Sequence, residues 1–309
     1  MTDLAPWGLT DWRAVTGHVV GEDAALWLVS AQGRWARYED GAWRLISVDA
    51  DLTTSVIVND APLIGAQDGL LVESTGGWWT QRQSGTGADI LDFWYVPQTG
   101  ETLMCGTAGT LMSWDGETWT VLLPPALNDL FAVWSDGSHT FVAAEGGTLF
   151  HSDGVDFLEM ETGTSAELRD LFGASLVDLW AVGTGGTVLH FDGTEWYPQD
   201  VPVATDLYRL AQGPGGALWA CGASGTVLVR SGGAWEDLSA GLPEDEDVMG
   251  IGFDGADVVA VTAQGGVHLW DGAAWTLSHP YPGLALSGVA TDADGALVIL
   301  GENGAILGQ

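Results

Sequence analysis

Lysine is absent from the 309 residues, and all eight cationic side chains are arginine. That absence excludes chemistry built on an ε-amine: a P-loop phosphate clamp, a Schiff base, the strand lysine of a protein kinase. Against eight cations stand 42 Asp and Glu, giving a formal charge of −34. Such a surface repels nucleic-acid phosphates and anionic lipid headgroups, so neither nucleic acid nor a membrane is expected as a partner. Cysteine is nearly absent as well. Cys105 and Cys221 share one place in repeats three units apart. That is too far for a disulfide, and free thiols suit a reducing compartment. No apolar run is long enough to cross a bilayer as a helix. The first residues, Met1-Thr2-Asp3-Leu4-Ala5-Pro6-Trp7, lack the basic and apolar segments of a secretory signal. A cytoplasmic location is expected.

Glycine (45) and tryptophan (17) are plentiful instead, and they recur in order. The clearest unit spans residues 186–196, Gly-Thr-Val-Leu-His-Phe-Asp-Gly-Thr-Glu-Trp. Close copies occupy 109–119, 147–157 and 225–235, and looser ones 33–43, 68–79 and 265–275. The units open at Gly33, Asp68, Gly109, Gly147, Gly186, Gly225, Gly265 and Gly304, between 35 and 41 residues apart. Internal repetition at this period marks a repeat architecture. Within one unit, Asp170-Leu171-Phe172-Gly173, Asp178 to Gly183, Gly186 to Phe191 and Glu195-Trp196-Tyr197 read as four short strands. The Asp192-Gly193 pair supplies a hairpin turn, because it tolerates the positive φ needed there. Four short antiparallel strands with glycine at each corner form one propeller blade. No window holds a sustained helical period, which excludes a helical solenoid.

The eighth unit runs off the C-terminus before its Trp segment, and Trp7 supplies one near the N-terminus. The expected fold is therefore all-β: a single eight-bladed β-propeller domain over residues 1–309, with four antiparallel strands per blade. The N-terminal strand around Trp7 would complete the C-terminal blade and close the ring, hiding an edge.

The Gly-Thr-[Val/Leu]-[Leu/Phe]-x-x-Asp-Gly-x-x-Trp unit resembles the Trp-rich propeller repeats of many bacterial proteins. It is more distantly similar to the photosystem assembly-factor propellers and the BNR/sialidase-like superfamily. The resemblance covers essentially the whole chain and implies the fold; propellers host many unrelated activities. Asp115, Gly116 and Trp119 are spaced more tightly than a sialidase Asp-box, and no arginine cluster of the sialidase kind is present. No functional residues carry over.

Candidate sites follow from departures within the repeat. Trp78 precedes the repeat Trp79 where other units carry Ala42, Thr118, Asp156, Glu195, Ala234 and Ala274. Strand alternation turns that position outward, where a Trp can anchor a partner. Asp11, Asp51, Asp92, Asp129, Asp170, Asp206 and Asp247 read as one recurring position at the start of the innermost strand. They would ring one mouth of the channel, drawing a cation or basic peptide. Alternatively each accepts backbone N–H groups at the turn that opens its strand. The connection holding Glu244, Asp245, Glu246 and Asp247 is the densest charge run. It lacks the Asp-x-Asp-x-Asp-Gly spacing of a calcium loop, so Ca²⁺ has no motif support and no cofactor or metal is expected. Tyr281, in His279-Pro280-Tyr281-Pro282-Gly283, lies on a rigid aromatic connection suited to recognition. His151 and His190 share a blade position without metal-ligand spacing. The repeat tryptophans either pack between blades or stack on sugar rings.

No Ser-His-Asp grouping or metal cluster stands out, and the connections are short. The expectation is a non-enzymatic protein-interaction scaffold, monomeric by itself, binding a partner with a basic surface through its inter-blade loop face. Carbohydrate binding is the alternative, and a hydrolase or lyase is less favoured.

Overall fold

Each repeat folds as an antiparallel meander, and the reason is legible in its corners. The computed structural model describes residues 26–29, 34–39, 42–47, 52–58, 61–75, 78–122, 128–254, 257–280, 286–291, 297–301 and 306–307. Among them are eight antiparallel sheets in chain order. Sheet 1 spans 26–47, sheet 2 52–83, sheet 3 90–121, sheet 4 130–160, sheet 5 168–198, sheet 6 207–237, sheet 7 248–280 and sheet 8 286–307. Sheets 2 to 7 have four strands, and sheets 1 and 8 show three each. Trp7 lies outside the described residues.

Sheet 5 illustrates the pattern. Its strands are Leu168–Ser175, Asp178–Gly183, Val188–Phe191 and Trp196–Pro198, paired in sequence order. The turn between its second and third strands is Thr184–Gly186. Gly185 (φ 65°) and Gly186 (φ 72°) both take the left-handed conformation. At the middle position of this turn other sheets place Asp68, Ala108 and Ser224, also at positive φ. The third position is always glycine: Gly69, Gly109, Gly147, Gly186, Gly225. A Cβ on Gly147, Gly186 or Gly225 would overlap the carbonyl oxygen of Thr164, Val203 or Pro243, on the connection to the next sheet. At Gly147, Gly186 and Gly225 glycine is thus required by backbone conformation and by close approach.

The Asp-Gly hairpin has an equally local cause. The Asp192 carboxylate accepts the backbone N–H of Thr194 (2.8 Å) and Glu195 (3.1 Å). Asp115 and Asp271 hold their turns in the same way. These bonds to the ionised form keep all three carboxyls below the usual range.

The first strands of successive sheets pack side by side from Leu52–Val58 through Ile90–Val96, Leu130–Ser135, Leu168–Ser175, Leu207–Gln212 and Val248–Asp254 to Leu286–Thr291. Each carries a register shift just after its first residue. A bulge of this kind re-aims the side chains that follow it.

The core lies in the seams between sheets. Trp134 and Phe141 of sheet 4 pack with Leu171, Leu179 and Trp196 of sheet 5. Trp180 of sheet 5 packs with Leu210, Leu228 and Trp235 of sheet 6. Trp219 and Val229 of sheet 6 pack with Val258, Ala260 and Trp275 of sheet 7. The repeat tryptophans 196, 235 and 275 are buried in these seams. Trp275 also donates its indole N–H to the Leu238 carbonyl (2.6 Å). Burial of one large apolar side chain contributes roughly 2–3 kcal/mol, so each seam is a substantial bond between sheets.

Candidate functional site

The aspartates read from the sequence as one ring occupy two positions. Asp129, Asp206 and Asp247 stand just before their first strands, and each reaches back to the preceding sheet. Asp129 Oδ1 accepts the N–H of Ala108 (2.9 Å), Asp206 that of Gly185 (2.9 Å), and Asp247 that of Ser224 (3.1 Å). Each acceptor therefore holds the left-handed middle residue of the turn one sheet earlier. The equivalent residue of sheet 3 is Asp89, whose carboxylate accepts the Asp68 N–H (3.0 Å). In sheet 5 the place is taken by Glu167, which pairs with Arg169 Nε (3.0 Å).

Asp92 and Asp170 lie three residues further on, beyond the bulge, paired with Cys105 and Val182. Asp92 Oδ2 accepts the N–H of Val133 (3.0 Å), and Asp170 Oδ2 that of Leu210 (2.7 Å). Each carboxylate thus ties its first strand to the first strand of the following sheet. Arg209 holds the same bulge position in sheet 6, paired with Cys221. Both carboxylates are half-buried by exposed area yet surrounded by protein. Burial, followed by the charge of Asp170, pushes the Asp92 carboxyl up to about 7. Burial also raises Asp170, with Arg209 opposing. Cys105 and Cys221 are buried free thiols pushed upward first by burial, Cys221 to about 12, which leaves them unreactive.

A second network joins the strand openings of sheets 5 to 7. Arg169 reaches Glu167 and, at 3.6 Å, Asp206. Its guanidinium lies 5.2 Å from the Tyr208 ring centroid, and the Tyr208 hydroxyl donates to Asp247 Oδ2 (3.0 Å). Arg169, Tyr208 and Arg209 were not among the residues singled out from the sequence. The Asp-Leu and Asp-Val steps at 129, 206 and 247, with Asp89-Ile90 and Glu167-Leu168, carry the signal for the strand opening. Asp170-Leu171 mimics it.

The other candidates separate. Glu244 and Asp245 are exposed. Glu246 accepts a short hydrogen bond from the Thr262 hydroxyl, and Asp247 is occupied as described. Trp78 is the first residue of the outermost strand of sheet 2, Trp78–Gln83, opposite Thr75. Asp11, Asp51 and Tyr281 lie outside the described residues. His139 Nδ1 and His151 Nε2 meet at 3.0 Å, and in sheet 5 the matching pair is Asp178 and His190, also at 3.0 Å. Among the described residues no group of three or more His, Cys, Asp or Glu is placed to hold a metal ion. Nor is any helix there long and apolar enough to cross a membrane.

Successive four-stranded antiparallel sheets packed first strand against first strand are the arrangement of a β-propeller. Known structures bear out that class. The chain is similar to the computationally designed Ika8 protein (TM-score 0.72, 15% identity), covering 96% of this chain and 98% of that one. It is similar to the C-terminal WD40 domain of Sif2 (TM-score 0.70, 12% identity), covering 95% and 98%. It is also similar to YCF48 bound to a D1 peptide (TM-score 0.63, 16% identity), covering 82% and 89%. At these identities the likeness concerns the fold. No family model matches the sequence, and no curated protein does.

Proposed function

We propose that residues 1–309 form one closed, eight-bladed propeller that acts without catalysis as an interaction scaffold for a protein with a basic surface. The closing strand would come from the segment around Trp7. The recurrence of Trp in the series that Trp7 opens supports that closure.

The observation that carries the functional reading is where the cations go. Arg82 pairs with Glu73 (3.1 Å) and lies 4.0 Å from the Trp114 ring centroid. Arg230 lies 4.5 Å from the Trp180 ring centroid. Arg169 is held by carboxylates, and Arg209 bonds the Tyr208 carbonyl beside Asp92 and Asp170. These arginines are spent on the chain's own groups, while exposed carboxylates such as Glu244 and Asp245 are left facing outward. A field of one sign favours a basic partner and fast, steered association. The peptide-bound YCF48 neighbour shows that a propeller of this general shape can hold a peptide. The monomeric, cytoplasmic state inferred from the sequence belongs to the same proposal.

The test is affinity capture from the native lysate with the wild type and with the double variant Glu244→Gln, Asp245→Asn. The inter-blade loop face is supported if a stoichiometric basic protein is captured by the wild type and depleted at least severalfold by the variant. Equal capture by both removes that loop from the interface.

A further inference from the structure

We propose a second docking surface, at the hairpin end of the seam between sheets 4 and 5, that takes a cationic amphipathic segment of a partner protein. Its lysines or arginines would alternate with apolar side chains. The site is independent of the inter-blade loop face, because the first–second and third–fourth hairpins of a meander lie at the end opposite its inter-sheet connections.

A row of side chains in register crosses sheet 4: Trp134, Phe141, His151, Leu158. Its inner members are buried among the seam residues, and His151 stacks on Phe141 at 4.5 Å between centroids. Its outermost member, Leu158, is 68% exposed. Neighbouring Phe157 packs against the seam with sheet 3, so alternation turns Leu158 toward the seam with sheet 5. From sheet 5, Leu176 packs into that same seam, and the adjoining Val177 is 61% exposed. Val155, on the hairpin leading to Phe157, is 81% exposed. Large apolar side chains left open singly need no explanation, but here Val155 and Val177 stand on hairpins at the same end of neighbouring sheets, Val177 beside Gly193, with Leu158 on the strand that follows the first of them.

The charge of the patch names the occupant. Asp136 and Asp153 lie near His151, close enough to favour its protonated form. Asp156 is exposed on the same hairpin as Val155. Arg82, Arg169, Arg209 and Arg230 are engaged elsewhere, as set out above, and the chain has no lysine. An apolar strip flanked by carboxylates is complementary to a segment that alternates apolar and cationic residues. The strip borders Phe157–Met160, the last strand of its sheet, whose edge can accept such a segment by strand addition.

The probe is a peptide alternating lysine and leucine, compared with one of equal length alternating lysine and serine, each added to the full chain. Affinity and amide hydrogen exchange are read together. The lysine–leucine peptide is expected to bind about tenfold more tightly and to slow exchange at residues 155–160 and 176–178. The double variant Leu158→Asp, Val177→Asp should erase that preference without lowering the melting temperature, since both side chains are already exposed. Equal affinity for the two peptides overturns the proposal. So does protection confined to residues 244–247, an outcome that leaves the loop-face reading intact.

Discussion

Two aspartates three places apart in the repeat do different work, and substitutions separate them. Asp206 holds the left-handed turn of the sheet before it, so Asp206→Ala orphans the Gly185 N–H. The expected cost is about 1 kcal/mol, seen as a lower melting temperature. Asp92 sits beyond the bulge in an enclosed place that disfavours its charge. Its folded-state carboxyl titrates near 7, against 3.8 for the free group. The folded state therefore holds a proton that the unfolded state has lost, and this contribution to stability fades as pH rises from about 4 to about 7. Asp92→Asn keeps the acceptor for Val133 and removes the titration. Its stability in urea should vary less with pH across that window and exceed the wild type at pH values above it. A wild-type-like pH profile in the variant would place the titration elsewhere. The histidine pair has the opposite sign. The rings are nearly parallel (9°), with centroids 5.2 Å apart and nitrogens at 3.0 Å, so they meet end to end within hydrogen-bond distance. Burial first, and then the charge of His139, lowers His151 below its ordinary 6.5, while Asp153 and Asp136 oppose this. Stability from neutral His151 is present above that value and is lost as pH falls below it. His139→Gln should return part of the His151 shift, read by NMR titration of the imidazole; an unchanged titration would contradict the coupling.

At the scale of the element, the repeat unit encodes its own turns. Gly185 and Gly186 both have positive φ, yet only Gly186 is pressed against a neighbouring carbonyl. Gly185→Ala should cost about 1 kcal/mol, the ordinary penalty of a left-handed side chain. Gly186→Ala should cost at least twice that, because the connection at Val203 must move; equal melting temperatures for the two variants would refute the distinction. The same contrast shows what the sequence makes legible. Asp-Gly hairpins and repeat-opening glycines are local devices, and they place the strands and the sheets in order. The bulge at the start of each first strand is not local. It splits one apparent aspartate series into a turn acceptor and a position that ties neighbouring first strands together, and spacing alone cannot see the extra residue. Arg169, Tyr208 and Arg209 escaped notice for a related reason: each differs from its counterparts in other repeats, and their network joins neighbouring sheets.

At the scale of the molecule, the 42 carboxylates against eight arginines set the character of the surface. The seams consume the tryptophans and the strand openings consume the aspartates that precede them. Arg82, Arg169, Arg209 and Arg230 turn to groups of their own chain, while carboxylates such as Glu244 and Asp245 stay exposed. Trp196, Trp235 and Trp275 are committed to packing, which leaves recognition to the connections and to the open end of the seam between sheets 4 and 5. The most direct measurement is the dissociation constant of the captured partner as a function of ionic strength. Association through a surface of one sign should weaken steadily as salt is raised, with most of the loss in the association rate. A constant that does not change with salt would contradict the account.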